Sequence, residues 1–198
     1  VTLDTPGQGP FSNNSLLEIR IGTSAAEANF TGLTPPGPDL RGNGTLTVSN
    51  VDLLLRDDGG TTDQTGRLII GGAANRTGTV HWNSTGTLRA HGHLRVGQGG
   101  TGTLNQNGGT IRTGVRSGID GLMQVGNGGG TGVLNLNSGL MQLGDDDEDF
   151  EDVPTGIPVQ QELQVAQGGG SVGTFNVGDG LAGAATFDTW GTVSVGMG

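Results

Sequence analysis

Residues 94–114 read LRVGQGGTGTLNQNGGTIRTG, and residues 122–144 repeat the phrase as LMQVGNGGGTGVLNLNSGLMQLG. Each copy holds a short apolar segment ending in Val-Gly, a glycine-rich turn, a second segment opening on glycine, a polar turn and a third short segment. Self-similarity of this kind marks a repeat architecture. The phrase therefore predicts a repeat unit of three short strands, which we call the first, second and third strands.

The first strand can be followed along the chain, because each copy ends in a hydrophobic residue followed by glycine or alanine. The copies lie at Leu17–Gly22, Arg67–Gly72, Leu94–Gly99, Leu122–Asn127, Leu163–Gly168 and Thr192–Gly198. Their spacing varies from 26 to 49 residues. The longer spacings indicate insertions near residues 23–42 and 145–160, which in a repeat protein fall in corner loops. Residues 1–16 are a predicted N-terminal extension, and residues 17–198 a predicted repeat domain.

Side-chain alternation and residue type both favour strands. Leu94 and Val96 point to one face and Arg95 to the other, while the 42 glycines fall mostly between the apolar segments, where turns need positive φ. Three strands in about 25 residues fit one triangular turn of a parallel β-helix, stacked at about 4.8 Å. The predicted fold is all-β, a single-stranded parallel β-helix (β-solenoid) of about five to six triangular turns with two corner-loop insertions. An antiparallel sandwich is the alternative fold. Disorder is disfavoured, because the hydrophobic residues recur at the same distances from the glycines in successive units.

The phrase VGxGGxGTLNxNGGTI resembles the repeat of autotransporter (type V secretion) and PEP-CTERM-associated bacterial surface proteins. The two central units match it well and the outer units more loosely. The resemblance implies a right-handed β-helix exported to the cell exterior, and it carries no catalytic residues. The chain opens on Val1, with no signal peptide, which suggests a processed N-terminus and supports export; a trimmed chain is the alternative.

Composition narrows the classes of function. The hydrophobic content of 31% is low for a compact enzyme, although a narrow β-helix interior tolerates it. A net charge of −10 argues against nucleic acid and anionic membranes as partners. No apolar run approaches the ~18 residues of a membrane-spanning helix. The absence of cysteine excludes disulfides.

An acidic run in the second insertion is the sharpest chemical cluster. Four of its carboxylates form a candidate Ca²⁺ site, the only cofactor that the sequence suggests: Asp145, Asp146, Asp147 and Asp149. The run lacks the alternating D-x-D-x-D-G spacing of a calcium loop, so solvated charge on a corner loop is the alternative. A smaller acidic set lies at Asp57, Asp58 and Asp63.

Five N-x-[S/T] sequons are candidate glycosylation sites, which would give a sugar-coated outer face. They lie at Asn13, Asn29, Asn43, Asn75 and Asn83. Chance occurrence in a chain rich in asparagine and threonine is the alternative.

No catalytic residues are predicted. The three histidines are expected at the surface, and no nucleophile motif accompanies them: they are His81, His91 and His93. Equivalent outward positions hold Arg95, Gln124 and Gln164, a polar stack and not the acid pair of a polysaccharide lyase or hydrolase.

Asparagines recur at one position of the second strand, at Asn105, Asn135 and Asn176. They predict a hydrogen-bonded ladder that stabilises the stack. A sugar-stacking platform has only Trp82 and Trp190 to draw on, which lie in different turns.

The last first-strand copy, TVSVGMG at residues 192–198, begins a turn that the chain does not finish. Either the chain is a fragment, or copies of it stack head-to-tail into a filament, with residues 1–15 adding a strand to a neighbour. The leading expectation is a non-enzymatic extracellular structural protein that polymerises with itself, without membrane insertion. The alternative is a cell-surface adhesin or carbohydrate-binding passenger domain, with surface carbohydrate as its partner.

Overall fold

The structure is a computed structural model and describes residues 2–4, 18–21, 43–50, 52–55, 67–90, 92–113, 121–143, 161–178, 184–189 and 191–196. These residues form strands and the turns between them, so the predicted all-β class is confirmed. Within the described ranges no helix is long and apolar enough to cross a membrane. Both predicted insertions, near residues 23–42 and 145–160, lie outside these ranges.

The strands follow the repeated phrase. In chain order they are β1 (Thr2–Asp4), β2 (Glu18–Ile21), β3 (Gly44–Ser49), β4 (Leu53–Leu55), β5 (Arg67–Ile70), β6 (Thr77–Trp82), β7 (Thr87–Ala90), β8 (Leu94–Gln98), β9 (Thr101–Thr113), β10 (Gly121–Asn127), β11 (Thr131–Leu143), β12 (Gln161–Gln167), β13 (Val172–Val177), β14 (Ala185–Thr189) and β15 (Thr192–Val195).

All the described strand pairs are parallel, and neighbours come from successive repeat units. The first strands form one six-stranded sheet in the order β2-β5-β8-β10-β12-β15. The second strands run β1-β3-β6-β9-β11-β13 in the nine-stranded sheet, and the third strands β4, β7 and β14 join the same sheet through β9 and β11. Two parallel sheets built from copies of one phrase exclude the antiparallel sandwich for this part of the chain.

β1 belongs to the segment predicted to be an N-terminal extension. Thr2, Leu3 and Asp4 pair with Thr47, Val48 and Ser49 of β3. These residues therefore extend the chain's own ladder of second strands. A subunit-joining role for the wider segment stays a prediction.

The phrase predicts separate second and third strands, but in each of the two central units they form one bent strand of 13 residues, β9 or β11. The bend coincides with register shifts between Leu136 and Leu140. Gly139 has a φ of 92° at this bend, and a Cβ there would lie 2.3 Å from the carbonyl oxygen of Gly109 in the preceding unit. Glycine therefore turns the chain sharply while strand pairing continues on both sides.

One hydrophobic core lies between the sheets. It combines inward residues of the first strands with those of the second and third strands in a single cluster. Leu94, Leu104 and Ile111 are each fully buried in it. Burying one such side chain stabilises the fold by about 1.5–3 kcal/mol, so columns of equivalent residues hold successive units together.

Gln106 interrupts one of these apolar columns, at the position that Trp82 and Leu136 fill in the neighbouring units. It is fully buried. Its Nε2 donates to the carbonyl oxygen of Leu140 at 2.8 Å and to that of Gly109 at 3.2 Å. The glutamine therefore satisfies backbone groups at the bend, where ladder hydrogen bonds are disturbed.

A glycine begins the inward pattern of the second strands β3, β6, β9, β11 and β13, where the chain has just turned a tight corner. Gly102, Gly132 and Gly173 are register partners. A Cβ at Gly132 would lie 2.2 Å from the carbonyl oxygen of Val96 and 2.4 Å from the amide nitrogen of Gly126. The recurring Gly-Thr or Gly-Val of the phrase is thus a packing requirement.

Replacing Gly132 with alanine is expected to lower the free energy of unfolding by about 3 kcal/mol, because backbone atoms must move to admit the methyl group. Gly169→Ala is the matched control, since a Cβ there meets nothing within 4 Å. Urea unfolding followed by circular dichroism compares the two. Similar midpoints for both variants would refute this account of the corner.

Candidate functional site

An asparagine ladder runs across the outer face of the second strands. Asn176 Nδ2 donates to Asn135 Oδ1 at 2.8 Å, and Asn135 Nδ2 donates to Asn105 Oδ1 at 2.8 Å. The predicted ladder of these three residues is therefore confirmed. His81 extends it, with Nδ1 lying 3.2 Å from Asn105 Nδ2. Because an amide nitrogen only donates, His81 accepts here through an unprotonated Nδ1.

A second ladder lies beside the first, two residues further along each strand, and sequence reasoning missed it. Asn137 Nδ2 donates to Asn107 Oδ1, and Asn107 Nδ2 donates to Asn83 Oδ1, both at 2.7 Å. The signal was present as N-x-N in residues 105–107 and 135–137. In the two ladders together, amide groups hydrogen-bond from unit to unit along the stack.

The outward polar stack of the first strands has the predicted register, with Gln124 paired to both Arg95 and Gln164. Gln124 and Gln164 are nevertheless buried, at 3% and 6% exposure, so this face is covered at those positions. Gln124 Nε2 donates to Gln164 Oε1 and Gln164 Nε2 donates to Glu162 Oε2, both at 2.7 Å. Ser194 Oγ donates to Glu162 Oε1 at 2.8 Å, which carries the network to β15.

The structure places some of the tryptophans and histidines named above and not others. Trp82 is fully buried in the core, where it cannot stack on a sugar. His93 is also buried, at 3% exposure, which corrects the expectation that the histidines lie at the surface. His81 is half-buried within the ladder. His91 and Trp190 lie outside the described residues.

The candidate Ca²⁺ ligands Asp145, Asp146, Asp147 and Asp149 lie outside the described residues, as does the smaller set Asp57, Asp58 and Asp63. Within the part of the chain that the structure describes, no three histidine, cysteine or carboxylate side chains are grouped to hold a metal ion. The calcium site stays a prediction.

Three of the five sequons can be placed, and all three asparagines are exposed: Asn43, Asn75 and Asn83. Asn43 Oδ1 accepts the backbone amide of Thr77 at 2.9 Å, and Asn75 occupies a turn with a φ of 61°. Asn13 and Asn29 lie outside the described residues. Glycosylation stays a prediction at all five.

The last repeat unit exposes side chains that other units bury. Val177 and Val193 are 47% and 52% exposed, although their register partners Leu136 and Leu163 are fully buried. Val195 is 72% exposed. Together with Phe175 and Phe187, these residues form what we call the terminal apolar face: Phe175, Val177, Phe187, Val193 and Val195.

The two phenylalanines hold the terminal apolar face together. Their ring centroids lie 5.0 Å apart at an interplanar angle of 78°, an edge-to-face contact between β13 and β14. Both rings are partly buried against the core. At the opposite end of the third-strand ladder, Leu53 and Leu55 of β4 are buried instead. The terminal apolar face is therefore the feature of the described chain best suited to contact a partner.

The chain matches no protein-family model, no curated protein and no solved structure. The asparagine ladders and the terminal apolar face are therefore the features that bear on its function.

Asn135→Ala is expected to lower the free energy of unfolding by about 2 kcal/mol, and Asn176→Ala by about 1 kcal/mol, because a net hydrogen bond is worth about 1 kcal/mol. Asn135 both donates and accepts within the ladder, whereas Asn176 makes one of these bonds. Urea denaturation of the two variants measures the difference. Equal losses would mean that the ladder does not stabilise the stack.

Proposed function

We propose that the chain is a non-enzymatic structural protein: a parallel β-solenoid that associates with copies of itself through the terminal apolar face. The exposed apolar positions of the last unit, Val193 and Val195 of β15 above all, carry this proposal. An extracellular or cell-surface location fits the resemblance of the repeat to exported bacterial surface proteins. A head-to-tail contact between copies would not close on itself, so the assembly is a filament.

Strand order supports the solenoid. In the central units the chain passes from a first strand to a second and a third, and then starts the next unit beside the last, as in β8-β9 followed by β10-β11. Inward residues from both sheets share one core. The Gly132 corner brings the two sheets within van der Waals distance at backbone level. One triangular turn per phrase accounts for all three observations.

A structural role is supported by where the polar side chains are used. The outer asparagines of the second strands bond to each other, and the buried Gln124 of β10 bonds to Gln164 of β12 in the next unit. These contacts join successive units, so they strengthen the stack along its length.

Association is supported by the apolar character of the last unit and by its strand edges, since among the described residues no strand pairs with the far side of β14 or β15. Parallel strands that end a ladder present unpaired backbone groups, which readily pair with another chain. Here the edges of β14 and β15 adjoin exposed valines and the Phe187 ring. Covering these side chains with a second copy removes apolar surface from water, at about 25 cal/mol per Å².

The test measures association of the purified chain by sedimentation velocity and electron microscopy over a wide concentration range. Wild-type chain is expected to form elongated assemblies. Val195→Asp should weaken association at least about tenfold, because it places an unpaired charge in the contact. Val133→Asp is the matched control, since Val133 lies on the outer face of β11 at the side of the stack.

A chain that stays monomeric at every concentration, or is weakened equally by both substitutions, would overturn the self-association proposal. Glycan binding by such a monomer would favour the alternative, a cell-surface adhesin or carbohydrate-binding passenger domain. Circular dichroism of each variant separates loss of association from loss of fold.

A further inference from the structure

A column of glycines lines the corner that follows each first strand. Gly71, Gly97 and Gly126 come after the last inward residues of β5, β8 and β10, with φ values of 68°, 78° and 75°. In the next unit, Val165 and Gln167 pair with Val125 and Asn127. The register therefore places Ala166 in the same column as Gly126, and its φ of 59° shows the same left-handed backbone.

Each glycine in this column makes room for the following repeat unit. A Cβ at Gly71, Gly97 or Gly126 would lie 2.2 Å from one carbonyl oxygen. That oxygen belongs to the first residue of the next second strand: Thr101 of β9, Thr131 of β11 or Val172 of β13. A β-carbon and the start of the next strand therefore cannot occupy this corner together.

Ala166 carries the β-carbon that its column partners lack. Alanine adopts a left-handed backbone less readily than glycine, so the local conformation does not favour it here. We propose that the β-carbon of Ala166 closes the outer edge of β13 to a further parallel strand.

The block is confined to β13. The ladder of first strands continues past β12 to β15, and Ala185, the first residue of β14, does not have the left-handed φ of Ala166. The consequence for contact between copies rests on the proposed function. A second copy of this chain would pair with β15 and pack on β14. The outermost second strand of that copy would be held away from β13.

An extended chain tests the block without relying on association between copies. The 17 residues NGGGTGVLNLNSGLMQL, the sequence of 127–143, are joined directly after Gly196. Gly196 shares the glycine column, since Val195 pairs with Val165, and its φ is 70°. The added turn therefore delivers a second strand to the edge of β13. The extended chain is made with Ala166 and as the Ala166→Gly variant.

Amide hydrogen exchange at residues 173, 175 and 177 reports strand addition. The amides of Val172 and Gly178 donate towards the preceding unit, to Gly130 and Leu136, so by alternation those of the residues between point outward. We expect the A166G extended chain to protect them on the order of 100-fold more than the extended chain with alanine. Ala74→Gly in the extended chain controls for added backbone freedom.

The steric block would be overturned if these amides were equally protected in the extended chain with Ala166 and in its A166G variant. It would also be overturned if they were protected in neither chain. A gain in protection with A74G equal to that with A166G would also overturn it. Exchange is measured at protein concentrations at which sedimentation velocity shows only monomers. The proposed self-association is tested separately with the unextended chain, and it fails if that chain never assembles.

Discussion

Backbone-to-backbone contact at the corners is the constraint on which the structure depends. Where the first strand passes into the second, the carbonyl oxygen of Val96 lies where a Cβ of Gly132 would have to be. No side chain can be placed between these segments, so the two sheets meet at glycine. The narrow core follows, because sheets that approach this closely leave room for only a few inward side chains from each unit. A modest share of apolar residues is then enough.

The repeated phrase predicted the strands, their parallel order and the ladder of Asn105, Asn135 and Asn176, because each depends on spacing that recurs from unit to unit. Burial on the outer face was not predictable in this way. Gln124 follows the alternation of a solvent-facing residue and is nevertheless covered. Likewise, Val193 has the same local sequence character as Leu163, yet one is exposed and the other buried. Whether a further unit covers a residue is a property of its place in the stack.

Three residues differ in type from their register partners in neighbouring units, and each difference has a structural reason. Gln106 stands among apolar residues, because the carbonyl groups at the bend need a donor. His81 stands in an asparagine column as an acceptor. Ala166 stands among glycines at the corner before β13. Each exception changes one hydrogen bond or one steric contact between neighbouring units, so each acts locally while the ladders on either side continue.

The asparagine ladders also have a direction. Every amide in them donates towards the unit nearer the N-terminus, from Asn176 to Asn135 to Asn105, and the neighbouring ladder from Asn137 runs the same way. The side-chain dipoles therefore add and do not cancel, much as peptide dipoles do along a helix. The two ends of the first ladder therefore differ electrically: at β13 the amide oxygen of Asn176 accepts no bond within the ladder, so a group that approaches this oxygen must bring a donor.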